Sequence, residues 1–480
     1  MKKNTIYFFL LLLIIISEVS ANAQDSLAFY LEQAALNNPG IKAKYLEYSA
    51  ALEKVPQAGS LPDPELQFGY FLKPMELMSG YQVADIRFMQ MFPWFGLLKN
   101  AKDEASQMAL SKFESFRDSK AQLYFAVKSS YYKVYRTLKE IAIAKKNLDI
   151  LHSLEQLALI KFSSGSSSSS TDNSSSNKSS INISPSGNQV RSGNNMQNQI
   201  SMGTSQGSSE AGKPAMATQG SGMGGTMAGD GNLDMVNLLR VQIEINELEN
   251  KIALLHDQVA TDKVSFNRFL NRAPSYIVFT GDSLIEAPIP NDIMTRADSI
   301  TNHPIVKMYR AESEASAAKL KMVTRMGYPM LGLGVNYSVI KKFPGVTSAM
   351  NGKDMIMPML SLTLPIYRKK QKAMRNEAEL MSESATALAE NVTNDLQVNF
   401  QETIQNLNDA DRRVKLFTSQ AILADKSLQL LITSFSTGGT DFAEVLRMEQ
   451  QLLDYQFKKV EAVVDKNTSI ARLVYLTVNN

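Results

Sequence analysis

Two hydrophobic periods alternate along this chain of 480 residues. In the long stretches, apolar residues recur every seven positions. Val127, Val134, Ile141 and Leu148 form one seam, with Ala144, Leu151 and Ala158 on a second. Val241, Leu248 and Leu255 run beside Ile245, Ile252, Val259 and Phe266. Phe400, Leu407, Val414, Ala421 and Leu428 run beside Ala410, Phe417, Ala424 and Leu431. Sustained seven-residue spacing predicts helices packed as coiled coils, and two seams on one helix predict packing on both sides.

Four short segments alternate with a period of two. Leu66, Phe68, Tyr70 and Leu72 flank Gln67 and Gly69, and Ala84, Ile86 and Phe88 flank Asp85 and Arg87. Leu331, Leu333, Val335, Tyr337 and Val339 flank Gly332, Gly334, Asn336 and Ser338, while Ile356, Leu360, Leu362 and Leu364 flank Ser361 and Thr363. One apolar and one polar face over about 8–11 residues predicts a tilted membrane-crossing strand. Pro358 breaks this pattern and marks a bulge or an early strand start. Four strands cannot close a barrel, and an open sheet edge is not tolerated in lipid. Three chains of four strands would close at twelve. A soluble hairpin packed on helices is the competing reading.

The two patterns occur twice. Asn38-Pro39 matches His303-Pro304, Asp63-Pro64 matches Tyr328-Pro329, and Phe92-Pro93 matches Leu364-Pro365. Phe162-Ser163-Ser164-Gly165 matches Phe435-Ser436-Thr437-Gly438, and Asp234 with Leu239-Arg240 matches Asp441 with Leu446-Arg447. The separation of matched residues holds at 265–273 and then drops to 207, so the first copy carries 66 extra residues. These residues, 165–230, are rich in Ser, Gly, Asn and Gln with few apolar residues other than Met, a composition that predicts disorder. Each copy reads as short helix, strand, strand, long helix, turn, returning helix. The long helices span about 96–162 and 366–435, and at about 1.5 Å per residue each matches two shorter helices laid end to end. Those shorter helices are 25–56 with 232–272, and 294–324 with 440–477. The domain reading is a leader at 1–23, a first repeat at 24–272, a linker at 273–293 and a second repeat at 294–480.

The leader has Lys2 and Lys3, an apolar run from Ile6 to Ile16, and Ala21-Asn22-Ala23 before Gln24. That is the layout of a secretory signal peptide. Cys is absent, so disulfides and thiolate chemistry are excluded. A net charge of +3 argues against a nucleic-acid partner. His152, His256 and His303 are scattered, as expected of packed or solvated helix residues rather than metal ligands. No phosphate loop, paired histidines or nucleophile elbow occurs, so neither an enzyme nor a cofactor is expected.

Leu61-Pro62-Asp63-Pro64 entering the first strand, and Phe435-Ser436-Thr437-Gly438 leading through Asp441 to Glu444-Val445-Leu446, resemble the TolC-type outer-membrane efflux proteins. The resemblance covers nearly the whole mature chain. Phe435 and Glu444 stand where that family has Tyr and Asp. The resemblance implies a mainly α fold with membrane β structure: a trimeric 12-stranded barrel continued by a 12-helix periplasmic tunnel. It implies a homotrimer in the outer membrane, contacting lipid, docked to a periplasmic adaptor and served by an inner-membrane pump of the resistance-nodulation-division type. The helical turns would form the periplasmic tip, where Gly165, Asp234, Gly438, Asp441 and Glu444 are the docking and gating candidates. The carboxylates read either as charged rings or as plain helix caps. The insertion would sit at that tip in the first copy.

Met89-Gln90-Met91-Phe92-Pro93-Trp94-Phe95-Gly96 and Asn351-Gly352-Lys353-Asp354-Met355-Ile356-Met357-Pro358-Met359 resemble the heavy-metal branch of the family, the copper/silver and cobalt/zinc/cadmium exporters. The strand alternation puts Met89, Met91, Met355, Met357 and Met359 on the lumen side. Met75, Met78 and Met350 read as outward-loop residues, and five more methionines lie in the insertion. Thioethers are soft ligands suited to Cu(I), although methionine also serves as adaptable filling. Export of organic solutes through the same channel, and a pore-free coiled-coil scaffold, are the alternatives.

Overall fold

The computed structural model describes residues 26–166, 230–281, 295–345, 347–437 and 439–477. The leader, nearly all of the insertion, Gly438 and most of the linker lie outside the described residues. The helices are α1 (Ser26–Asn37), α2 (Pro39–Ala58), α3 (Leu97–Ser166), α4 (Asp230–Phe269), α5 (Pro304–Met326), α6 (Arg368–Ser436) and α7 (Phe442–Leu476). The strands are β1 (Glu65–Leu77), β2 (Gly80–Phe92), β3 (Met330–Lys341) and β4 (Met355–Thr363). A 3-10 helix, Thr295–Asn302, precedes α5. No described helix is long and apolar enough to cross a membrane.

The chain divides into two compact units. The larger comprises Met1–Asp149 and Glu247–Asn480, and the smaller comprises Ile150–Asn246. In the smaller unit, the end of α3 and the start of α4 bury Leu151, Leu154, Ala158, Val241 and Ile245, and Gln242 donates to Glu155 at 3.3 Å. All but Leu154 are seam residues of the seven-residue pattern.

The larger unit holds the four-stranded antiparallel sheet in the order β1-β2-β3-β4. Each repeat supplies one hairpin, and β2 joins β3 across the repeats. Below it, one core packs Val127, Tyr131 and Val134 of α3 against Val259 and Phe266 of α4 and Tyr30 of α1. A second core packs Phe400, Ile404 and Leu407 of α6 against Val306 of α5 and Ile470 and Leu473 of α7. Helix α6 has 69 residues, about 100 Å at 1.5 Å per residue. It therefore accommodates both α5 and α7 along its length, as the length matching predicts.

Three expectations need correction. The second short helix, read as 294–324, is not one α-helix, because the 3-10 helix Thr295–Asn302 gives way at the His303 cap to α5. The first short helix is not continuous: it breaks at Asn38, whose Oδ1 accepts from Gly40 N and Ile41 N at 2.9 and 3.2 Å while Pro39 opens α2. An Asn N-cap followed by Pro at N1 is a helix start signal, and here it overrides the helical propensity on either side. Pro358 marks no bulge, because β4 pairs with β3 in unbroken register through Val335↔Pro358. Proline is tolerated there because β4 is an edge strand. The irregularities lie in β1 between Tyr70 and Met75 and in β2 between Gln82 and Ala84 instead.

Candidate functional site

The sheet is inverted relative to one in a water-soluble domain. Its apolar face is the bare one: Phe68 is 71% exposed, Leu72 92% and Leu360 74%. On the opposite face Asn336 and Ser338 are each only 8% exposed. Apolar-out, polar-in alternation is what lipid outside and water inside demand. Among the described residues, the edges β1 and β4 have no further partner strand.

Aromatic residues ring the border where strands meet helices. The Trp94 ring stacks on Tyr328 with centroids 5.4 Å apart, and Phe95 and Tyr367 are exposed. Gly96 turns the chain from Pro93-Trp94-Phe95 into α3 with a φ of +84°, a conformation that glycine adopts without strain. Amphipathic rings at this level suit a membrane–water interface.

Register brings all five strand methionines to the polar face. Met89 lies across from Gly334, which lies across from Met359, and Met91, Gly332 and Ser361 form the next row. Arg87, Asn336 and Met357 align, as do Asp85, Ser338 and Met355. The Ser361 hydroxyl lies 3.5 Å from Met89 Sδ and 3.7 Å from Met91 Sδ. The two thioethers converge because their neighbour is glycine: a Cβ on Gly332 would stand 2.6 Å from Met91 Sδ and 2.2 Å from Ser361 Oγ. The cluster offers two soft sulfurs and a hydroxyl. Met75, read as a loop residue, instead lies within β1, whereas Met78 and Met350 are exposed turn residues.

The turn from α6 to α7 is closed by aromatic packing. Phe435 and Phe442 are buried with ring centroids 4.9 Å apart, and Gly439 N donates to Ser434 O at 2.9 Å. Asp441 is the N-cap of α7 and accepts from Ala443 N at 3.4 Å, while Glu444 pairs with Arg447 one turn on. Both carboxylates thus have local work at a helix start. Gly165 lies in the last turn of α3 and Asp234 near the start of α4, both in the smaller unit and with side-chain surroundings outside the described residues.

Sequence reasoning noted the residues before Pro39 and Pro304 as repeat markers and missed their shared role. Asn38 Nδ2 donates to the Phe269 carbonyl at the end of α4, at 3.0 Å. His303 Nε2 donates to the Tyr475 carbonyl at the end of α7, at 3.2 Å, while its Nδ1 accepts from Ile305 N. In each repeat the cap of the short helix clasps the last turn of the returning helix, joining the two end to end. Burial pushes the His303 imidazole down to about 4, so it is neutral and takes the tautomer this clasp needs. The equivalence of Asn38 and His303 in the repeat was the available signal.

No family model and no curated protein sequence matches the chain. Solved structures do. A crystal structure of CusC, from work on its folding and transmembrane channel formation, aligns with 95% of this chain and 92% of its own at a TM-score of 0.68 and 13% identity. The outer membrane protein VceC of Vibrio cholerae aligns over 94% and 95%, at 0.66 and 11% identity. The open-state outer membrane channel MtrE of Neisseria gonorrhoeae aligns over 94% and 88%, at 0.63 and 11% identity. The chain therefore has the fold of these outer-membrane channel proteins, with a helical part and one four-stranded sheet.

Proposed function

We propose that the chain, after loss of its leader, is one protomer of a trimeric outer-membrane conduit that carries soft heavy-metal cations, Cu(I) and Ag(I), out of the cell. The inverted sheet with two open edges supports the channel reading most directly. Three such sheets joined edge to edge give twelve strands, satisfy every backbone edge and present the apolar face to lipid. The long helices support the same assembly, because α6 leaves Val398, Leu416, Leu423 and Leu430 exposed for neighbouring helices.

In this reading the helices form the twelve-helix tunnel. The turns that carry Gly165, Asp234, Gly438, Asp441 and Glu444 would dock the periplasmic adaptor and gate the pore, and an inner-membrane pump of the resistance-nodulation-division type would drive transport. The cargo follows from the thioether cluster of Met89 and Met91, extended by Met355, Met357 and Met359. Conduction needs several weak sites rather than one tight one, and thioethers that line a pore wall meet that need.

The test is a strain lacking the gene, complemented with wild type or with Met89→Leu/Met91→Leu. Leucine conserves volume and removes the sulfur. Silver and copper tolerance should fall by up to about tenfold, since other weak sites remain. Trimer abundance and drug tolerance should stay unchanged. Unchanged metal tolerance, with drug tolerance lost on deletion, would favour organic solutes as the cargo.

A further inference from the structure

An apolar groove of about 480 Å³ opens on the bare face of the sheet at the strand–helix border. Its walls include Phe92, Trp94 and Phe95 from the end of β2, Leu331 and Leu333 of β3, and Leu360 of β4. Its wall is built mainly on the two inner strands, β2 and β3, and reaches edge strand β4 at Leu360. An aliphatic chain suits such a lining, and water does not.

One cation touches the groove lining, and others cluster where β4 passes into α6. Arg325 lies against Gly96, with its Nε 3.8 Å from where a Cβ would stand, and its guanidinium sits 5.8 Å from the centre of the Tyr328 ring. Tyr328 in turn stacks on Trp94 in the groove wall. The Arg375 guanidinium reaches Gly327, 3.6 Å from its missing Cβ. Arg368, Lys369, Lys370 and Lys372 fill the opening turns of α6 and are exposed. None of these six cations makes an ion pair among the described residues. Helix α6 also begins without a side-chain cap at Tyr367. Positive side chains at a helix N-terminus oppose its dipole, so the arrangement costs stability unless an anion joins it. The first repeat places Lys99 and Lys102 at the matching position in α3.

We infer that this groove binds an anionic phospholipid, with an acyl chain along the apolar wall and the phosphate held by Arg325 and Arg375. The inference rests on the sheet being a barrel wall. The aromatic belt marks the headgroup level, and guanidinium groups there match phosphate geometry. The lipid would fasten the sheet to the helices at the height where the barrel ends.

The experiment uses the purified full-length trimer in a zwitterionic detergent, mixed separately with dioleoyl-phosphatidylglycerol, dioleoyl-phosphatidylcholine and inorganic phosphate. Retained lipid is counted by native mass spectrometry, thermal melting is followed, and conductance is recorded on the same sample. Phosphatidylglycerol should be retained over phosphatidylcholine by about tenfold and should raise the melting temperature. Arg325→Gln/Arg375→Gln should abolish that preference, and Lys369→Gln/Lys370→Gln should reduce it. Equal retention of the two lipids, a preference unchanged in the Arg variant, or the same stabilisation by inorganic phosphate alone would overturn the inference. A conducting trimer with no lipid preference sinks the lipid site only, whereas a sample that neither trimerises nor conducts sinks both readings.

Discussion

Phe68→Arg is expected to destabilise the assembled trimer by about 2–4 kcal/mol per chain, the cost of a lipid-facing arginine near mid-membrane. Phe68 lies in β1 opposite Ile86, which lies opposite Tyr337, and its ring is 71% exposed. In a water-soluble domain such a surface substitution would shift stability by no more than about 0.5 kcal/mol. The two environments thus predict different results from one change. Gln67→Arg, one residue earlier on the polar face, is the control and should leave the trimer intact. Urea midpoints of the purified trimer, with the amount in the outer-membrane fraction, provide the measurement.

Phe442→Ala should cost about 3–5 kcal/mol, the range for removing a fully buried phenyl group. Phe442 is completely buried, its ring lies 4.9 Å from Phe435, and it opens α7 directly after the Asp441 cap. The other ties of the α6–α7 turn are hydrogen bonds, from Gly439 N to Ser434 O, between the Ser434 and Thr440 hydroxyls and at the Asp441 cap, and none of them fills the space of the ring. Removing the ring leaves a cavity beside Phe435, Val445 and Leu446, all of them buried. Hydrogen exchange should therefore rise first at residues 434–446 rather than across the α6–α7 pair. If those residues lie at the tip, adaptor docking should weaken in the same variant. Protection unchanged at this turn would show that the aromatic pair does not close it.

The seven-residue seams were legible because coiled-coil packing is local and periodic. Val127, Val134, Val241 and Ala410, placed on seams by spacing alone, are all fully buried. Strand polarity was legible for the same reason, down to the face that Met89, Met91, Met355, Met357 and Met359 take, although Met75 was misplaced in a loop. What alternation could not supply was register. The convergence of Met89 and Met91 on Ser361 depends on pairing between strands of different repeats, and on Gly332 leaving room for two sulfurs. The helix break at Asn38 was written in Asn-Pro, yet the surrounding Ala- and Glu-rich sequence favoured one continuous helix. The clasp by Asn38 and His303 needed the tertiary fold, since its acceptors, Phe269 O and Tyr475 O, lie 231 and 172 residues away. The helix-cap reading of Asp441 was legible from its place before α7, whereas the pairing of Glu444 with Arg447 was not foreseen.

The central claim is that an apolar-out, polar-in sheet of four strands is a third of a pore. The most direct measurement is single-channel recording on the purified protein in a planar lipid bilayer, alongside electrophoresis of heated and unheated samples. The expected result is a heat-sensitive trimer that inserts and gives discrete conductance steps, lost when heating separates the chains. A monomer that stays in the aqueous fraction after membranes are removed, and passes no current, would contradict it.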